Sequence, residues 1–137
     1  ALLALFWPDA GDHNARRGLA QALYALRRDL GDERVITGSH ALRLDPARLP
    51  SDVADFTAHA RAGRLAEAAA CYAGRFLHGV HLAGIPEFMR WAEGEREALA
   101  RDHAAILERL AVEAERRGAY DEAIGRWRAL AAQDPLD

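Results

Sequence analysis

No strong helix breaker interrupts the chain between Pro86 and Gly118, and that run constrains the fold more than any other feature. Proline suits the first turn of a helix, where its missing N–H costs nothing. Inside the run Phe88, Trp91, Leu99, Ile106 and Leu110 recur at spacings of three, four or seven, with Glu95 the one polar exception. Such spacing keeps side chains on one face of a 3.6-residue helix. The flanking residues follow the same pattern. A helix is expected over 53–62, a break at Gly63, a second helix over 65–73, an irregular stretch "GRFLHGVHLAGIP", and a last helix over 120–132. Apart from that stretch and the turns, everything beyond residue 50 reads as helix.

Two of these pieces repeat. "RAGRLAEAAACY" (61–72) aligns with "RRGAYDEAIGRW" (116–127) at an offset of 55 residues. Arg, Gly, Glu and Ala coincide, while Leu65 and Tyr120, and Tyr72 and Trp127, share character. A small turn, a large residue, alanine and an aromatic make the pattern of tetratricopeptide-type helix pairs, where the alanine lets helices approach and the large residue fills the next gap.

The first 50 residues are organised differently. "ALLALFW" ends at Pro8-Asp9 and a polar connector follows, from which Asp12 or Asn14 is expected to cap a helix ending at Gly31 in a left-handed turn. Val35-Ile36-Thr37 and Ala41–Leu44 flank "GSH" and read as a hairpin. "DPARLPSD" is a linker, with Ser51 or Asp52 opening the next helix and a domain boundary near residue 50.

The helix over 15–30 has two faces. Leu19, Leu23, Leu26 and Leu30 fall in one sector of about 60°, the expected core side. Arg17, Gln21, Tyr24 and Arg28 fall in an opposite sector of about 60°. That stripe holds no carboxylate and mixes cations with an amide and a phenol, the groups that neutralise phosphates and read base edges in a major groove. Arg16 and Arg27 flank it. Helix, turn, helix and hairpin in this order are the parts of a winged helix-turn-helix, with His40 or Arg43 on the hairpin placed for a neighbouring groove or phosphate.

Charge distribution agrees with this reading. The net charge of −3 gives no global case for nucleic acid. From His13 to Arg43, however, six arginines face Asp29, Asp32 and Glu33, a local +3, whereas residues 51–137 sum to −4. All 18 basic residues are arginine, which reads as compositional bias. Cys71 is the single cysteine, so no intrachain disulfide forms and a reducing, cytoplasmic setting is expected. The seven-residue apolar start is too short to span a bilayer and lacks a basic leader; no membrane role is expected.

The chain resembles the antibiotic-regulatory-protein (SARP) type of bacterial transcriptional activators, which join a winged-helix DNA reader to a tetratricopeptide-like bacterial transcriptional activator domain. The matching pieces are "LFWPD" (5–9), "LAQALYALRRDLG" (19–31), "LRLDP" (42–46), "DVADF" (52–56), "YAGRFLHG" (72–79), "EFMRWAEGER" (87–96) and "GAYDEA" (118–123), in family order along essentially the whole chain. The resemblance implies a mainly α fold, with a partial winged helix-turn-helix over 1–50 and a tetratricopeptide-like activator domain over 51–137. It implies that 15–30 is the recognition helix and 34–44 the wing. Double-stranded promoter DNA, RNA polymerase and a second copy of the chain are the partners it implies. The family's N-terminal strands and first reader helix have no counterpart here, so the chain reads as a fragment. Gly18 lies inside the recognition helix, at a cost of about 1 kcal/mol relative to alanine.

Other constellations carry less. Cys71, His78 and His81 fit no zinc spacing and lack a fourth ligand, and Cys71 lies in an apolar stripe as a small core residue. Ser39 and His40 are adjacent on a hairpin tip without a partner acid. No GxSxG, P-loop or GxGxxG is present. Of Asp102 and His103, one is expected exposed and one packed. Trp91 and Trp127 are expected to fill gaps between helices, and Glu93, Glu95 and Glu97 to form a solvated face. No enzyme and no cofactor are expected. The alternative to a DNA reader is a tetratricopeptide-like interaction module that binds no DNA itself.

Overall fold

The computed structural model describes residues 2–38 and 41–133. The fold is mainly helical with one two-stranded hairpin. The elements are α1 (Leu2–Phe6), α2 (Asp12–Leu30), β1 (Ile36–Thr37), β2 (Arg43–Leu44), α3 (Asp52–Arg61), α4 (Leu65–Cys71), α5 (Pro86–Arg116) and α6 (Tyr120–Ala131). None of the described helices is long and apolar enough to cross a membrane. The chain divides into two compact units, one within 1–51 and 81–91, the other within 52–80 and 92–137.

In the first unit α2 closes at Gly31, whose φ of +68° is the left-handed cap expected there. Its start differs from expectation. Gly11 is the N-cap and no side chain caps the helix. Asp12 lies in the first turn, where a carboxylate favours the helix dipole, and pairs with Arg16 at 3.0 Å. The expected core face of α2 is only partly covered, with Leu26 48% and Leu30 47% exposed. Strands of two residues each are too short to cover five turns of helix. Gly18 has a packing role that propensity alone does not show. A Cβ there would lie 2.9 Å from Trp7 Cε2, so the missing side chain is what admits the indole. Phe6, Phe88 and Trp91 continue the aromatic packing, with Phe88 centroids 5.4 Å from Phe6 and 5.6 Å from Trp91.

The second unit is built on Phe56, Leu65, Ala68, Ala69, Ile106, Leu107 and Leu110. Here the sequence repeat becomes a repeat of backbone geometry. Gly63 and Gly118 both have φ +72°. Arg64 N–H donates to His59 O and Gly63 N–H to Ala60 O; 55 residues on, Ala119 donates to Ala114 O and Gly118 to Glu115 O. Each pair is a Schellman motif, which ends one helix and aims the chain into the next. Ala68 and its counterpart Ala123 are both buried, as a close-approach position requires. α4 ends at Cys71 rather than Ala73, and Cys71 is half-buried at the edge of the core. Trp91 and Trp127 are corrections. Both are exposed rather than gap fillers, and Trp127 instead donates through Nε1 to Glu115 Oε1 at 2.8 Å.

His103 is the packed member of its pair, while Asp102 is exposed. Its ring stacks on Tyr72 at 4.2 Å and bonds to the Gln133 amide through Nδ1. Burial pushes its pKa below the usual 6.5, against hydrogen bonds from the ring to Gln133 and the Ala69 backbone that favour the charged form; Arg126 adds to the depression. The folded unit therefore holds a neutral imidazole where the unfolded chain binds a proton. Stability is expected to be level above pH ~6.5 and to fall as the pH drops through the folded pKa. Urea midpoints measured across pH should show this slope, and His103→Gln should flatten it.

Candidate nucleic-acid interface

The polar stripe of α2 is set by helical periodicity on one side and by Trp7, packed on Gly18, on the other. Arg17, Gln21, Tyr24 and Arg28 are all exposed, as are Arg16 and Arg43. The side chains of Arg17, Gln21 and Tyr24 form no hydrogen bond or ion pair among the described residues. Arg28 grips Asp29 Oδ1 through Nε at 3.0 Å and Nη2 at 2.9 Å, and Arg16 grips Asp12. Exposed pairs of this kind contribute little to stability, so both guanidiniums can exchange a carboxylate for a phosphate at small cost.

Arg27 stands apart. It is half-buried, and its Nη2 donates to Ile36 O at 2.8 Å, tying α2 to β1. Its Nε is buried without a partner among the described residues. This arginine positions the hairpin against the helix. On the hairpin, Ile36 pairs with Leu44 and Thr37 with Arg43 in antiparallel register. His40 lies outside the described residues.

A network missed in the sequence braces the hairpin base. Asp45 N–H donates to Val35 O at 2.9 Å, and Asp45 Oδ1 accepts from Ala47 N–H at 3.0 Å. Arg48 bridges Asp45, at 3.3 Å, to Asp32. The Arg34 N–H bond, at 2.8 Å, holds the Asp32 carboxyl below its usual range, with further lowering from Arg48 against some desolvation. The Asp-Pro pair at 45–46 was the available signal, because Asp before Pro favours a side-chain-bonded turn. Between α1, α2 and the hairpin lies an apolar cavity of about 400 Å³, on the leucine side of α2.

Among the described residues no group of three or more His, Cys, Asp or Glu is placed to hold a metal ion. Neither the curated proteins nor the solved structures compared with the chain gave a match. The family comparison did. Residues 44–137, well over half of the chain, match the bacterial transcriptional activator domain. That span contains the whole second unit and the linker leading to it. With this match over its repeated helix pairs, the chain belongs to the bacterial transcriptional activator domain family.

Proposed function

We propose that the chain acts as a DNA-binding transcriptional activator. In this reading α2 enters the major groove of promoter DNA, and the helical residues from 51 onward form a tetratricopeptide-like domain for protein contacts. Residues 1–50 are then part of a winged helix-turn-helix. Arg17, Gln21, Tyr24 and Arg28 face the groove, the two arginines within reach of phosphates and Gln21 and Tyr24 of base edges; Arg16, His40 and Arg43 are further phosphate contacts, and Arg27 holds the wing in place. The carrying observation is an exposed, carboxylate-free stripe on a helix braced to a hairpin, in a chain of an activator family. RNA polymerase and a second copy are the protein partners, the setting is cytoplasmic, and the role is non-enzymatic.

Fluorescence anisotropy with a duplex from the gene's own upstream region, at several salt concentrations, tests this. Arg17→Ala/Arg28→Ala is expected to weaken all duplexes and reduce the salt slope by about 2, one for each phosphate-range cation removed. Gln21→Ala is expected to relax preference at one base pair about tenfold. Equal losses on every sequence from all variants would sink base reading. The family match begins at Leu44, beyond α2, which favours a second reading: a tetratricopeptide-like interaction module without DNA binding. Absence of salt-dependent binding by the unaltered chain would select it.

A further inference from the structure

The second unit holds a cavity of about 180 Å³ that takes no part in DNA reading. Val53 and Phe56 of α3, Tyr72 just after α4 and Leu99 of α5 form its walls. Phe76 and Leu77, from the segment that follows α4, close one side. Size and lining together define an occupant. Apolar cavities of about 150 Å³ stay dry and take up benzene-sized molecules. The Phe56 and Tyr72 rings meet at 6.2 Å and 56°, and two tilted aromatic walls suit an aromatic guest better than an aliphatic one.

Charge narrows the class. Asp52 and Arg75 are exposed residues that line the same cavity, and both are already engaged within the fold. Asp52 Oδ1 accepts from Val53 N–H at 2.8 Å, and Arg75 Nη2 pairs with Glu93 Oε1 at 3.1 Å. A charged guest attracted by one of them is repelled by the other, and it gives up hydration against apolar walls. A neutral guest meets neither cost. Entry is set by the Phe76–Leu77 side. Leu77 sits at φ +49°, a conformation disfavoured for any residue with a side chain. Glu93 holds that segment through Arg75 and also pairs, at 2.9 Å, with the Arg96 that grips its carbonyls. One carboxylate thus latches the least relaxed side of the cavity.

We propose that this cavity is a binding site for a small neutral aromatic molecule of about ten non-hydrogen atoms, slightly larger than benzene as the volume allows, admitted by movement of the 74–77 segment. A ligand that binds only the folded unit stabilises it, and one seated here keeps the segment closed, so occupancy gives the unit a small-molecule input. Every lining residue belongs to the second unit, so the site exists whether or not α2 reads DNA.

Cys71 supplies the readout, because it is the single thiol of the chain, half-buried and part of the cavity lining. Its labelling by iodoacetamide, measured on the whole chain without DNA, is expected to slow severalfold as indole is added. Half-protection is expected at about 1 mM indole or below, within what nine non-hydrogen atoms supply. Amide chemical shifts over 71–77 are expected to move over the same range. Val53→Phe fills the cavity from α3 and should remove both responses with an unchanged circular dichroism spectrum; Leu99→Phe serves if that variant misfolds. Glu93→Gln should label severalfold faster when free, and indole should still protect it. Thiol labelling and amide shifts that both ignore indole, or protection that survives filling of the cavity, would overturn the site. Equal protection by indole-3-carboxylate or tryptamine would overturn the neutral class, and an unchanged rate in Glu93→Gln would overturn entry through the segment. No arm contains DNA, so failure here and failure of the duplex titration are read separately.

Discussion

Replacing Phe56 with alanine is expected to destabilise the second unit by about 3–5 kcal/mol, the range for removing a buried aromatic side chain. The ring is buried in the cluster that joins α3, α4 and α5, with centroids 6.2 Å from Tyr72 and 6.4 Å from His103. Its removal also opens onto an existing cavity of about 180 Å³ that Phe56 lines. The site has little means of collapsing, because Ala68 and Ala69 on the facing helix are already small. A loss of this size is a large share of a small domain's total stability. Urea unfolding followed by circular dichroism should show it, with Phe56→Leu costing much less. A second readout follows from the neighbouring imidazole. Water entering beside His103 relieves the burial that depresses its pKa, so the acid-side slope of stability should shrink in Phe56→Ala. A loss under 1 kcal/mol would show that the ring does not brace this core.

Arg96→Ala is expected to cost about 2–4 kcal/mol and to release the segment over 74–80. Arg96 is long and charged, yet its side chain is only 13% exposed. Its Nε donates to Phe76 O at 2.7 Å and its Nη2 to Leu77 O at 2.9 Å. The third nitrogen, Nη1, pairs with Glu93 at 2.9 Å. Hydrogen bonds from a charged donor contribute about 1.5–3 kcal/mol each, and removing the donor strands its acceptors. Leu77 adds a second cost. Its φ of +49° is a conformation that side chains disfavour, and the two Arg96 bonds hold the backbone there. Hydrogen exchange over 74–80 should accelerate in Arg96→Ala. Lysine should recover only part of the protection, since it carries the charge without the planar fork. Leu77→Gly, which removes the strain, should offset some of the loss. Unchanged exchange in Arg96→Ala would sink this account.

Helical period, turn chemistry and the 55-residue repeat were all legible in the chain, because each depends on residues within a few positions of one another. The αL close at Gly31, the paired turns at Gly63 and Gly118, the buried Ala68 and Ala123, and the long α5 are consequences of local backbone preference and spacing. The residues of the α2 stripe were legible for the same reason, since a helix wheel needs no neighbour. Other features were not. Arg96 lies 19 and 20 residues from the carbonyls it holds, and nothing local distinguishes it from any other helical arginine. Gly18 read as a weak point until Trp7 was seen against it. Arg27 read as a flanking cation until its guanidinium was found on Ile36. Trp91 and Trp127 read as core because large apolar residues usually are, yet exposure depends on what packs opposite. Sequence by itself therefore determined which segments are helices, where they turn, and which pieces repeat. Only the tertiary structure decided which side chains those helices bury and which they leave facing outward, because burial and long-range hydrogen bonds are set by partners that local spacing does not name.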